Sequence, residues 1–254
     1  MMKPFTAGTL QVTVLNSRDE MGRMAAAGAA ERLRALLAQK DFVNVIFAAA
    51  PSQNEILHYL AQEPGIDWQR VNAFHMDEYI GLPEHAPQAF GCYLEQHIFS
   101  KVPFAAIHRI DPQATDAEAE CARYSELLRA YPADLVCLGI GENGHIAFND
   151  PWVADFQDSA LVKPVPLDPV CRQQQVNDGC FAALEQVPTH AITLTIPALT
   201  AAGHMICTVP AATKAWAVER TVNAEISPEI PATVMRRHPD AMLFCDPDSG
   251  ALLK

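Results

Sequence analysis

Three places in the chain carry residue types that could move protons or hold an anion. The first is Phe74-His75-Met76-Asp77-Glu78-Tyr79, where an apolar run leads straight into two acids. A carboxylate fixed at the end of a buried strand is partly desolvated. Desolvation raises its pKa toward the range useful to a general base. Taken alone, the pair also suits a turn followed by a solvated Glu78. The second place is the segment from Gly139 to Pro151, with Gly139, Gly141 and Gly144 close together and Glu142, Asn143, His145 and Asp150 set among them. Glycines let the backbone turn sharply and approach a ligand closely. Histidine titrates near neutrality and can shuttle protons between sugar oxygens, and a neighbouring carboxylate can orient it. A tight structural turn with a capping histidine is the plainer alternative. The third is Ala48 to Glu55, where small residues lead through Pro51, Ser52, Gln53 and Asn54 toward a helix. A helix N-terminus attracts anions through its free N–H groups and its dipole, although Ser52 would also serve as a simple N-cap. Lys214, just past an apolar run, offers a matching positive charge, or else a solvated lysine.

Several other chemistries lack their motifs. The spacing Gly139-x-Gly141-x-x-Gly144 matches the dinucleotide fingerprint, but Gly144 is followed by Ile-Ala-Phe-Asn-Asp-Pro instead of a long helix, and no acid ends a following strand, so the nucleotide reading is rejected. The nine histidines are scattered, with no His-Glu-x-x-His and no paired Cys/His spacing, so no metal or cofactor is expected. There is no Gly-x-Ser-x-Gly elbow. His58 and His97 fall in helical patterns and read as ordinary surface or core residues.

The elements that must position these residues alternate between strand and helix, the pattern of an α/β fold with a largely parallel sheet. Strand-like runs cover Leu10–Leu15, Val43–Ala50, Val71–Met76, Asp134–Ile140, Ala191–Ile196, Met205–Val209 and Ala241–Cys245. Helical patterns run from a capping box at Ser17 and Glu20 to about Gln39, from a second at Ser52 and Glu55 toward Ala61, and over Gln88–Phe99, Asp116–Ala130 and Ala211–Val222. This predicts a three-layer, Rossmann-like α/β domain over 1–254, with a mostly parallel central sheet of about seven strands. The stretch Asp150–Val187 is irregular and is expected to hold an antiparallel excursion or a lid. In open α/β sheets, ligands bind beyond the carboxyl ends of the strands, where all three candidate segments fall.

Composition narrows the partners. The chain has 254 residues, 50% of them hydrophobic and only 19% charged, enough apolar material for a sizeable core. A formal charge of −12 repels nucleic acid and anionic membranes, so neither is expected as a partner. An anionic substrate then needs a local positive pocket. No apolar run approaches the ~20 residues of a membrane helix, and Met1-Met2-Lys3-Pro4-Phe5 does not begin a signal peptide. Seven cysteines without a CxxC pair read as reduced thiols, so a cytoplasmic location is expected. The oligomeric state stays open, a homo-oligomer included.

At the chemical segments the chain resembles the glucosamine-6-phosphate deaminase family. Met76-Asp77-Glu78-Tyr79-Ile80-Gly81-Leu82 is similar to its MDEYxGL motif, and Gly139 to Pro151 is similar to its GxGxxGHIAFNEP motif. The resemblance runs roughly from Val12 to Asp246; related 6-phosphogluconolactonases carry DER where this chain has Asp77-Glu78-Tyr79. It implies that Asp77 is the general base moving a proton between C2 and C1, and that His145 assists opening of the sugar ring with Asn143 and Asp150 as its partners. It implies that Lys214 contacts the substrate phosphate, and it puts Ser52, Gln53, Asn54, Glu78, Gly141 and Gly144 at the substrate. The implied reaction turns a hexosamine 6-phosphate, of glucosamine or galactosamine type, into a ketose 6-phosphate and ammonia, without cofactor or metal.

The chain departs from the family pattern at two positions and in two segments. Asn143 stands where many members have Asp; it can orient His145 but cannot take a proton, which shifts the burden to Asp150 and Glu142. Asp150 stands where the family usually has Glu, one methylene shorter. The phosphate loop is Ala49-Ala50-Pro51-Ser52-Gln53-Asn54 instead of a Gly/Thr/Ser-rich run, and Pro51 lacks an N–H. The segment Cys171–Phe181 replaces one that supplies a phosphate-contacting arginine, for which Arg172 is the candidate. Two alternatives therefore stand beside the deaminase: a related isomerase or lactonase on the same fold, and a non-catalytic sugar-phosphate sensor.

Overall fold

The structure, a computed structural model, describes residues 3–83 and 85–253. Met1, Met2, Glu84 and Lys254, which the expected 1–254 domain includes, lie outside the described residues. Eight strands form the main sheet: β1 (Phe5–Ala7), β2 (Leu10–Val14), β3 (Val43–Phe47), β4 (Val71–His75), β6 (Ala106–His108), β7 (Leu135–Leu138), β10 (His204–Val209) and β11 (Ala241–Cys245). Their order is β1-β2-β11-β10-β7-β3-β4-β6, and every pairing except β1 with β2 is parallel. A second sheet of three antiparallel strands joins β5 (Asp77–Tyr79), β9 (His190–Leu194) and β8 (Val162–Pro166), in the order β5-β9-β8.

Successive side chains of a strand point to opposite faces, and both faces of the main sheet are covered. Val43, Val45 and Phe47 of β3, with Leu135 and Cys137 of β7, pack under α1 (Arg18–Leu37) and α2 (Asn54–Leu60). Ile46 of β3 and Val136 and Leu138 of β7 pack against α4 (Ala117–Ala130), α6 (Ile196–Thr200) and α7 (Ala215–Asn223). This is why the central strands read as continuous apolar runs instead of alternating ones. The three-layer α/β architecture is therefore as expected, with eight strands in the main sheet.

The differences have local causes. β1 and β6 are three residues long and lie at the sheet edges, too short to give a pattern. The run near Ala191 is a strand, but it belongs to the small sheet, and its partner β8 is the antiparallel excursion expected after Asp150. Ser17 caps α1 by accepting from the Glu20 N–H, as predicted, while the Glu20 carboxylate turns to the N–H of Asn16. The second capping box does not form. Pro51–Gln53 is a short 3₁₀ turn, α2 begins at Asn54 without a side-chain cap, and Glu55 pairs with Arg18. The expected Gln88–Phe99 helix starts later, as α3 (Phe90–Leu94), and widens into a π turn over Glu95–Phe99. A helix within the irregular region, α5 (Pro169–Asn177), is capped by Asp168. Among the described residues no helix is long and apolar enough to cross a membrane.

Candidate active site

Four adjacent strands, β10, β7, β3 and β4, end at one edge of the main sheet. After β4 and β6 the chain returns to the other side of β3 to lay down β7, so the connections from β3 and β7 depart in opposite directions. A crevice opens at such a switch point. Here it is a cleft open to solvent at its mouth. Its wall draws Ala48–Ser52 from the end of β3, Met76 and Asp77 from the end of β4, Gly139–Gly141 from β7, and Pro210, Ala211, Thr213 and Lys214 from β10. His145, Ala147 and Phe148 follow from the glycine-rich segment, and Gln174, Gln175 and Asp178 come from α5 and its end. Two wall alanines have positive φ, Ala147 at 49° and Ala211 at 81°. Such conformations cost of order 1–3 kcal/mol and concentrate at functional sites; at Ala211 the Asp246 carboxylate accepts the strained residue's N–H.

Asp77 begins β5, where it pairs with Thr193, and is only 6% exposed. Burial, with the Glu78 carboxylate beside it, pushes its pKa well above the ordinary aspartate value. Glu78 points the other way along the strand. Its carboxylate accepts the backbone N–H groups of Tyr79, Phe90 and Gly91, at 2.8–2.9 Å. Burial lifts its pKa to about 7 against the pull of those three bonds. Glu78 is thus a clamp on the start of α3 and lies off the cleft wall, in contrast to the substrate contact expected of it.

His145 Nδ1 lies 2.7 Å from Asn143 Oδ1 and 3.1 Å from Asp150 Oδ1, and Asn143 Nδ2 donates to Asp150 Oδ1 at 2.9 Å. Asn143 Oδ1 and the Asp150 carboxylate are both acceptors, so Nδ1 carries a proton and Nε2 is the nitrogen left without a protein partner. Asp150 is fully buried; burial raises its pKa, but the bonds from His145 and Asn143 outweigh it and hold the carboxylate below the ordinary value. Asn143 and Asp150 therefore stand behind the histidine, off the cleft wall. Gly141 explains its own identity: a Cβ there would lie 2.1 Å from the imidazole. Gly141→Ala should displace the ring by about 1 Å, a misplacement that can cost ~100-fold. We expect kcat to fall by that factor with KM little changed, measured by steady-state kinetics. Gly144 adopts a φ of 86°, and its carbonyl accepts from Ala232; it shapes the turn and does not line the cleft.

The anion-binding side is assembled differently from expectation. Lys214 is 5% exposed and lines the cleft, and its Nζ has no hydrogen-bond partner. Burial lowers its pKa, and Asp178 and Glu142 act in the opposite sense. Ser52 lines the cleft as well, but Gln53 and Asn54 do not. The Gln53 amide is buried and donates to Leu138 O and Thr208 Oγ1, and Asn54 Oδ1 accepts from the Tyr93 hydroxyl. Arg172 is also off the cleft, because its guanidinium donates to the carbonyls of Leu184 and Val187. The arginine that does reach the wall is Arg18, in the first turn of α1, held by Glu55 Oε1 at 2.8 Å and by the Pro51 carbonyl. Sequence reasoning missed it. The one available signal was a cation in the first turn of a helix, where the dipole disfavours positive charge.

A parallel α/β sheet with a buried aspartate, an oriented histidine and an unpaired lysine around one cleft defines an acid–base enzyme for a small anionic substrate. The family profile described as glucosamine-6-phosphate isomerases/6-phosphogluconolactonase matches residues 16–244, and the chain belongs to this family. It is 35% identical over 245 residues to a glucosamine-6-phosphate deaminase of Streptococcus sanguinis, covering 96% of this chain and all of that one. It is 35% identical over 211 residues to one of Listeria monocytogenes, covering 83% of this chain and 88% of that one. Among solved structures, a monomeric glucosamine-6-phosphate deaminase of the NagB superfamily superposes with a TM-score of 0.85 at 25% identity, over 95% of this chain and 99% of that one. The 6-phosphogluconolactonase of Thermotoga maritima shares the fold, with a TM-score of 0.75 at 20% identity, over 92% of this chain and 98% of that one.

Proposed function

We propose that this enzyme is an isomerising deaminase of a hexosamine 6-phosphate. The observation that carries the reading is the pairing of a buried Asp77 with a histidine anchored through Nδ1, across one cleft that also holds a lysine without a hydrogen-bond partner. With the phosphate at Lys214, Ser52 and Arg18, the sugar carbons extend toward Asp77 and His145. His145 Nε2 takes the anomeric hydroxyl proton and returns it to the ring oxygen, opening the ring. Asp77 removes the proton from C2 and delivers it to C1, while O1 gains the proton that the amino nitrogen gives up. The imine left at C2 adds water and releases ammonia, giving the ketose 6-phosphate. Asn143 and Asp150 position His145, and the Asp150 carboxylate balances the positive charge it gains in transit.

The reading is tested by ammonia release from glucosamine 6-phosphate, galactosamine 6-phosphate and mannosamine 6-phosphate. Release from one of them, with the matching ketose 6-phosphate, is expected and names the sugar; binding of all three without release from any would defeat the proposal. The two arginines give a second test. Arg18→Gln should raise KM by tenfold or more, a charge-assisted phosphate contact being worth about 1.5–3 kcal/mol. Arg172→Gln should leave KM nearly unchanged and lower the melting temperature, because it leaves two carbonyls without their donor.

A further inference from the structure

The proton-handling histidine has a neighbour that the proposed reaction does not use. Cys171, in the first turn of α5, is 1% exposed and faces His145 and Asp150 from behind the cleft wall. The ligating atoms of His145, Asp150 and Cys171 all lie within 4.8 Å of one another. Asp150 is fully buried, and its Oδ2 has no hydrogen-bond partner. A buried imidazole, a thiol and a half-satisfied carboxylate form a donor set suited to zinc, whose bonds of about 2.0–2.3 Å need the three atoms to close by roughly 1 Å. The spacing 145, 150, 171 matches no metal motif, which is why the sequence did not suggest it.

We propose that His145, Asp150 and Cys171 form an inhibitory site for a thiophilic divalent cation, zinc above all, with water as fourth ligand. The ion bonds to Nδ1 of His145 and moves the ring proton from Nδ1 to Nε2. Nε2 then faces the cleft as a donor and can no longer accept a proton from the substrate. The Cys171 thiol gives up its proton to solvent on binding, one per ion. The cleft itself stays open, because Asp150 and Cys171 lie behind its wall. Zinc therefore lowers kcat and leaves KM unchanged.

The kinetic consequence rests on the proposed deaminase reading; the metal site does not, and the test separates the two. Full-length protein stripped with a chelator is titrated with Co²⁺. A thiolate-to-cobalt charge-transfer band in the near ultraviolet is expected in the wild type and in Cys180→Ser, and is absent from Cys171→Ser and Cys171→Ala. In turnover assays Zn²⁺ should inhibit reversibly, and Cys171→Ser, with basal activity near wild type, should need at least about tenfold more zinc. A wild-type cobalt complex without the thiolate band overturns the site, as does equal zinc sensitivity of wild type and both Cys171 variants. If no substrate turns over, the cobalt spectra still decide.

Discussion

Asp77→Asn should release ammonia at a rate lower by roughly 10²–10⁴-fold, the usual worth of a positioned general base. Asparagine matches aspartate in shape, so β5 keeps its pairing with Thr193 and the cleft keeps its wall. What is lost is the group that removes the C2 proton. Binding should persist, so KM stays within a few-fold, and calorimetric titration with a substrate analogue should still show saturation. A variant keeping more than a tenth of wild-type kcat would remove Asp77 from the role of base. The same residue sets the pH dependence. Its pKa is raised by burial and by Glu78, and only the ionised form can act. The acid limb of kcat/KM should therefore lie above the pH at which ordinary aspartates titrate. The sign for stability is opposite. A carboxyl group whose folded pKa is raised stabilises the fold while protonated, and that contribution is lost as pH rises through the folded pKa. Asp77→Asn should therefore melt higher than wild type, by a margin that widens from acid to neutral pH.

Lys214→Met should separate affinity from stability even more strongly. Nζ is buried without a hydrogen-bond partner, and the charges of Asp178 and Glu142 offset its burial only in part. A phosphate dianion supplies the missing partner. Losing one half of a buried charge pair typically costs about 2–5 kcal/mol, so KM should rise by roughly 30-fold to several thousand-fold. Methionine fills nearly the same volume without the desolvation penalty, so the melting temperature should hold or rise, a trade between stability and function. A KM within threefold of wild type would show that the phosphate sits elsewhere, and Arg18 would then be its main anchor.

Much of this site was legible in the linear chain because strand ends announce themselves. Asp77 and the glycine-rich segment directly follow buried apolar runs, and an apolar run ending in polar residues places those residues at the rim of a parallel sheet. Lys214 was legible for the same reason at the end of β10. The hydrogen-bond partners of the histidine were legible because Asn143, His145 and Asp150 lie within eight positions of one another. What failed were inferences about where a side chain points. Gln53 and Asn54 adjoin the cleft-lining Ser52, yet a 3₁₀ turn directs the Gln53 amide into the core against Thr208 and Asn54 toward Tyr93. Arg172 lies near the expected register, but one turn of α5 aims it at the carbonyls of Leu184 and Val187.

The sequence by itself determined the class of fold and which strand ends carry Asp77, the glycine-rich segment and Lys214. Hydrophobic periodicity, turn residues and short motifs are local properties, read within about ten residues. Only the tertiary structure decided that Arg18, 37 positions from Glu55, reaches the cleft in place of Arg172, and that Glu78 holds α3 instead of substrate. It also decided that Cys171 lies beside His145 and Asp150. These depend on how α1 and α5 pack across strands distant in the chain, and side-chain direction after such packing leaves no periodic trace in the residues themselves.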